Sequence, residues 1–186
     1  MSNLHELDWI KIARSFIGLK EVKGTKHNPT IIKMLKEMGS FSKENKAWWK
    51  DDETPWCGLF VGYCLGKAGR FVVPNWYRAK AWADATYMNQ LAKPAYGCLA
   101  VYEREGGGHI GFVVGRDSEY ANANILVLGG NQSDAVNIKA FSKNRKVSYW
   151  WASYWYQQRK CEKSYPMQER FNLPVLKNYQ LSTKES

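Results

Sequence analysis

Residues 51–69 read DDETPWCGLFVGYCLGKAG, and the place of the first cysteine in this stretch decides how the chain is read. Thr54 is an N-cap type, Pro55 suits a first helical position, and Gly69 suits a stop. The pattern predicts a helix that opens at Pro55 and puts Cys57 in its first turn. Backbone N–H groups there lack intrahelical partners, and the macrodipole is positive. Such a place lowers a thiol pKa from about 8.5 and favours the nucleophilic thiolate. Cys64, two turns further into an apolar helix, reads as a small buried hydrophobe. Cys57 reads as a nucleophile only if a base reaches it.

The same helix grammar extends toward the N-terminus. Leu7, Ile10, Ala13 and Phe16 recur on one face and stop at Gly18. In NPTIIKMLKEMG, Asn28 is an N-cap, Pro29 opens, and Gly39 closes, with Ile31, Leu35 and Met38 as the buried stripe. A shorter helix is expected around Trp82. After Pro94 the pattern changes to short β-rich runs: CLAVYE (98–103), HIGFVV (109–114), NILVLG (124–129), VNIKAF (136–141) and VSYWWAS (147–153). Helices followed by consecutive strands predict an α+β fold, N-terminal helices packed on a five-stranded antiparallel sheet. Residues 1–153 form the expected domain, and 154–186 a tail wrapped on it or extending from it.

A base for Cys57 is offered by His109, which follows Gly106, Gly107 and Gly108 and starts a strand; the glycines allow close approach to the imidazole. If 109–114 and 124–128 form a hairpin centred near Glu119–Tyr120, residues whose numbers sum to 240 face each other. His109 then opposes Asn131, Gly111 opposes Gly129, and Val113 opposes Val127. Opposed residues project to one side of an antiparallel pair, so Asn131 is the candidate to orient the imidazole. The paired glycines leave a low spot where the helix start docks. A one-residue slip leaves Gln132 or Asp134 instead. A cysteine, a histidine and an orienting amide are the parts of a nucleophilic acyl-transfer site.

Composition narrows the partners. Lys and Arg number 27 against 17 acids, a formal net charge of +10, which favours a polyanionic partner. The charge is diffuse and no nucleic-acid signature is present, so nucleic acid is disfavoured, with an acidic membrane surface and the anionic wall of a bacterium both open as the polyanion. No apolar run reaches the about 20 residues that span a bilayer, and stable membrane insertion is not expected. The four cysteines show no CxxC spacing, and with three separated histidines no zinc site is expected. The first residues show no signal peptide, so the expectation is synthesis in the cytoplasm and release to the wall by other machinery.

Taken together, Glu53-Thr54-Pro55-Trp56-Cys57, Gly108-His109-Ile110-Gly111-Phe112 and Leu128-Gly129-Gly130-Asn131-Gln132-Ser133-Asp134 resemble the CHAP-type amidases and peptidases. These belong to the papain-like peptidoglycan hydrolases, and the likeness is to a phage- and prophage-associated group. The likeness spans roughly residues 7 to 152. It implies a papain-like fold, Cys57 as nucleophile, His109 as general base, and Asn131 where relatives place the orienting residue. Two departures stand out: Gly129 and Gly130 replace an acid before that amide, and Asp51 replaces papain's oxyanion-hole glutamine. The backbone N–H of Cys57 is one oxyanion donor.

For substrate contacts the candidates are Trp56, Glu53, Asp52, Gly108 and Gln132. Asp51, Asp52 and Glu53 serve either as charge ahead of a helix start or as a site for a cationic amine of the stem peptide; calcium, as in some relatives, needs six to eight oxygens, and no metal or cofactor is assigned. Trp48, Trp49, Trp56 and Trp76 are candidates to line a cleft. The expected activity is that of a monomeric, cysteine-dependent hydrolase of a peptidoglycan amide, endolysin-like. An injected antibacterial toxin with the same chemistry and a non-catalytic wall-binding or phage structural module are the rivals.

Overall fold

The structure, a computed structural model, describes residues 5–44, 48–142, 144–156, 160–177 and 179–181. Helix α1 (Asp8–Ser15) buries Trp9, Ile10 and Ala13. In α2 (Pro29–Glu37) the Asn28 side chain accepts the Thr30 N–H at 2.9 Å, and Pro29 takes the first position as expected. Helix α3 (Cys57–Lys67) is buried from Cys57 to Gly66. A helix apolar all round belongs at the centre of a molecule: α1 and α2 pack on it, and the sheet covers it elsewhere. Its C-terminus has the Schellman pattern. Gly69, at φ 69°, donates to the Gly66 carbonyl at 3.1 Å, and Arg70 donates to Leu65 at 2.9 Å. A 3-10 turn, Ala79–Trp82, stands where the fourth helix was expected.

The start of α3 differs from the expectation. The helix begins at Cys57, its N-cap is Trp56, and no side chain caps it. The Thr54 N–H is bonded to Asp51 Oδ1 at 2.6 Å, so Thr54 and Pro55 belong to a turn ahead of the helix. That local bond competes with capping, as Asp side chains commonly do.

Among the described residues nine strands follow: β1 (Asn89–Leu91), β2 (Leu99–Arg104), β3 (Gly107–Arg116), β4 (Ile125–Gly129), β5 (Asn137–Phe141), β6 (Val147–Trp151), β7 (Tyr154–Tyr156), β8 (Lys160–Glu162) and β9 (Gln180–Leu181). The main sheet has the order β1-β6-β2-β3-β4-β5-β9, its first six strands antiparallel and β9 parallel to β5 at the edge. β2 to β6 are the five expected strands; β1 and β9 enlarge the sheet and are too short to show an alternating pattern. The hairpin register holds where it was expected, with Phe112 opposite Leu128 and Val113 opposite Val127. A bulge between Val113 and Gly115 then shifts it by one.

Residues from 154 onward touch the rest of the molecule at definite points. Tyr154 bridges Arg70, and β7 pairs with β8. The Arg70 guanidinium lies 4.3 Å from the Trp9 ring and 3.5 Å from the Tyr154 ring, and donates to the Tyr154 hydroxyl at 2.8 Å.

Candidate active site

The N-terminus of α3 reaches the sheet because two glycines leave room for it. A Cβ on Gly58 would lie 2.5 Å from the Trp76 carbonyl oxygen. One on Gly130 would lie 2.6 Å from both Phe60 Cβ and Trp56 Cζ3. The docking spot is therefore Gly130. At Gly111 a Cβ would meet Val127 Cγ1 at 2.5 Å, and at Gly129 it would meet Gln132 Oε1 at 3.0 Å and His109 Nε2 at 3.4 Å. The low spot expected over that pair is filled by these side chains.

Docked in this way, Cys57 is buried, with 6% of the residue exposed. Burial raises the thiol pKa, and hydrogen bonds from the Ile110 and Gly58 N–H groups, the Arg104 charge and its own N–H only partly offset it. The expected thiolate at rest is thus corrected: desolvation outweighs the helix start. The Ile110 N–H is among the groups that lower the thiol pKa against burial, so the sulfur lies near the residue that follows His109. β3 is paired with β4 only from Phe112 onward, which leaves the Ile110 N–H for the sulfur. Arg104, at the end of β2, had no distinguishing signal in the sequence beyond its place before the Gly106 turn.

His109 is 3% exposed, and its ring stacks on Phe141 at 5.5 Å and 10°. Its Nε2 lies 3.0 Å from Gln132 Oε1. The Gln132 amide nitrogen donates to the Val127 carbonyl (3.3 Å), the Asn137 carbonyl (2.7 Å) and Asn137 Oδ1 (3.0 Å), while Asn137 Nδ2 donates back to the Gln132 carbonyl (2.7 Å). Turning the amide over would set its oxygen against these oxygens. Oε1 therefore faces the imidazole as an acceptor, Nε2 carries the proton, and Nδ1 carries the lone pair.

A contact of this kind was expected of Asn131; Gln132, which the sequence offered as the alternative on a one-residue slip and as a substrate contact, makes one in the structure. The reason is backbone conformation. Asn131, Ser133 and Asp134 have φ of 56°, 55° and 60°, so the chain leaves the sheet after Gly129 and strand alternation no longer applies. Asn131 itself is buried in that turn. A helper that the sequence did not reveal is Asn137, whose clasp on Gln132 depends on the same turn.

Other expected contacts resolve differently. Trp56 is fully buried and donates through Nε1 to Glu21 Oε2 at 3.1 Å, so it is a packing residue next to Cys57. Asp52 is fully buried and accepts the N–H groups of Val22 and Asn28, both at 2.8 Å, with His27 Nδ1 at 3.1 Å. It ties the segment before α2 to the approach to α3, out of a substrate's reach. Glu53 accepts the Gly24 N–H at 2.8 Å at the surface. Gly108 is needed for packing, since a Cβ there would lie 2.7 Å from the Tyr102 carbonyl. Trp48 is 61% exposed and stacks on Trp49, which stacks on Trp76. Among the described residues no group of three His, Cys, Asp or Glu side chains is placed to hold a metal ion, and no helix is long and apolar enough to cross a membrane.

Compared with known protein families, residues 49–131 match the family model of the CHAP domain. The matched stretch contains both Cys57 and His109 and ends one residue short of Gln132. No curated protein and no solved structure matches the chain.

Proposed function

We propose, from the match of residues 49–131 to the CHAP domain model, that the protein is a cysteine-dependent peptidoglycan hydrolase that cuts an amide bond of the bacterial wall. The family is one of peptidoglycan amidases and endopeptidases. The observation that carries the finer reading is the constellation at the α3–β3 junction. The Cys57 sulfur lies near the Ile110 N–H, His109 is the preceding residue, and Gln132 holds its Nε2–H.

In this reading Nδ1 of His109 takes the Cys57 proton as the sulfur attacks the amide carbonyl carbon. The carbonyl oxygen becomes an oxyanion, for which the Cys57 N–H is one donor. Collapse breaks the C–N bond; the imidazolium gives its proton to the leaving amine, and a thioester remains. Water, deprotonated by His109, then attacks the thioester, releasing the carboxylic acid and restoring the thiol. The net charge of +10 holds the enzyme near the anionic wall, an attraction that salt weakens. We place its action on the periplasmic or extracellular wall, endolysin-like.

Purified sacculi test the reading. The wild type releases muropeptides whose mass spectrum names the bond cut, and Cys57→Ala releases none; release by Cys57→Ala at the wild-type rate would overturn it. A non-catalytic wall-binding module is told apart by alkylation at neutral pH. The hydrolase labels at Cys57 faster than at Cys64, which is fully buried and whose pKa burial raises well above the ordinary value.

A further inference from the structure

Strand alternation puts Asn137, Lys139 and Phe141 of β5 on one face, and each of them meets a part of the site or of the turn beside it. Phe141 stacks on the His109 ring, Asn137 clasps Gln132, and Lys139 Nζ donates to Ser133 Oγ at 2.5 Å. Lys139 has no part in the proposed chemistry, yet it is 5% exposed. A lysine is almost never so deeply buried unless its ammonium is engaged. Among the described residues it forms no ion pair, and the Ser133 hydroxyl takes its hydrogen bond.

The hydroxyl that Lys139 holds belongs to the residue of the turn that most needs holding. Asn131, Ser133 and Asp134 all have a left-handed backbone, at φ 56°, 55° and 60°. Asn and Asp enter that region readily, helped by their own short polar side chains, and serine has no such preference. A left-handed serine persists where its surroundings over-determine it. Ser133 is exposed, so packing does not supply the constraint, and the Lys139 ammonium does. The base of the turn is tied separately: the Gln132 N–H donates to the Ala135 carbonyl and the Glu21 N–H to the Asp134 carbonyl, both at 2.9 Å. Ser133 directly follows Gln132, so its φ sets how the chain leaves the residue whose Oε1 lies 3.0 Å from His109 Nε2.

We propose that Lys139 is a positioning residue of the reaction: its ammonium fastens Ser133 in the left-handed turn, the turn keeps Gln132 on the His109 Nε2–H, and Nδ1 keeps the lone pair. This deepens the hydrolase reading and rests on it for the reaction itself. A role in solubility does not account for a lysine this deep, and a role in packing alone would be met by an apolar side chain of similar length.

The test compares Lys139→Met, which keeps an unbranched stem and removes the ammonium, with Ser133→Ala, which removes the acceptor and leaves the backbone strain. In each, kcat/KM on a soluble muropeptide should fall about ten-fold. The ring itself is read in the Cys57→Ala background with isotope-labelled histidine, the His109 nitrogens being followed by NMR and assigned by their loss in His109→Ala. They should report the Nε2–H tautomer, and Lys139→Met should move them toward a mixture of the two tautomers. Lys139→Met combined with Ser133→Gly should recover kcat/KM to within about three-fold of wild type, because glycine takes a positive φ without cost and needs no ammonium to hold it. If Lys139→Met does not fold, Ser133→Ala, at an exposed position, carries both readouts. An unmoved tautomer, an unchanged kcat/KM in both single variants, or a double variant no better than Lys139→Met overturns the proposal. Digestion of sacculi by the wild type with an unmoved tautomer in Lys139→Met sinks the Lys139 assignment alone. A tautomer that moves in a protein whose wild type digests nothing sinks the hydrolase reading and leaves the hold of Lys139 on the turn.

Discussion

Replacing Gln132 tests the site at its most exposed logical joint. In Gln132→Ala the His109 Nε2–H loses Gln132 Oε1 as its acceptor, while the ring keeps its stacking on Phe141. A neutral hydrogen bond contributes about 1 kcal/mol net, or about five-fold in rate at about 1.4 kcal/mol per ten-fold. A misplacement of about 1 Å in a reacting group adds up to about 10²-fold. The expected loss in kcat/KM on a soluble muropeptide is therefore about 10²-fold, measured well below the melting temperature so that folding does not contribute. In Gln132→Glu the carboxylate can still accept Nε2–H, but its second oxygen faces the Val127 and Asn137 carbonyls and Asn137 Oδ1, to which the amide nitrogen had donated, so this variant is read by its pH profile and not by its activity relative to alanine. A negative charge beside the ring raises the imidazole pKa, so the acid limb of the kcat/KM profile moves to higher pH. If Gln132→Ala loses less than about three-fold, or if the acid limb of Gln132→Glu stays in place, the assignment of Nδ1 as the base fails.

Four further outcomes follow from the packing and charges. Asp52→Asn removes a carboxylate whose ionisation burial opposes, but which the Asn28 and Val22 N–H groups and His27 hold below the usual range. At roughly 1.5–3 kcal/mol per hydrogen bond to a charged group, about 3 kcal/mol is lost at pH 7, or about 10 °C in Tm. Because the folded pKa is depressed, that stability is full above the ordinary value of about 3.9 and fades as pH falls through the lower folded one; the gap to wild type in urea melts should close in acid, and a gap that widens would refute the assignment. Gly130→Ala puts a methyl 2.6 Å from Phe60 Cβ and Trp56 Cζ3 and should cost about 2 kcal/mol, with loss of activity as α3 is pushed off the sheet; a fully active variant would show that this close approach is not needed. Arg70→Ala removes the contacts with Trp9 and Tyr154 together with the bond to the Tyr154 hydroxyl, and should cost about 3 kcal/mol in urea unfolding. In His109→Ala the Cys57 alkylation rate should rise only as pH passes above the ordinary thiol range, since burial raises that pKa; labelling that is already complete in rate at neutral pH would contradict it.

Legibility in the sequence followed the physics of each element. Asn28-Pro29 and Gly69 announced their helix ends because capping is local, and the five central strands were visible as β-rich apolar runs of five or more residues between turns. Thr54 misled because a cap and a turn use the same hydroxyl-bearing residue, and the choice was made by Asp51, three residues away. The hairpin register was readable as far as Val113–Val127, since it depends only on loop length. It could not be carried to Asn131, where a left-handed backbone at three non-glycine positions bends the chain away. Asp52 and Trp56 looked like cleft residues because charge and indole rings suit a substrate. That both are engaged by Val22, Asn28, His27 and Glu21, about thirty residues earlier, is long-range information that no local pattern holds.

These long-range ties also settle how the proposed chemistry would start. Burial keeps the Cys57 sulfur a thiol at rest, which slows its oxidation, because the thiolate is the vulnerable form. The donors that oppose burial, the Ile110 and Gly58 N–H groups, are backbone groups already in place, and they gain strength as charge develops on the sulfur. Attack then depends on a base whose lone pair is correctly placed, and the order of dependence is explicit: Asn137 holds the Gln132 amide, Gln132 holds the Nε2 proton of His109, and Nδ1 is left as the base. Each step removes one of two alternatives that the side chain would otherwise sample, so in the proposed reaction the turn after β4 acts through orientation and not through charge.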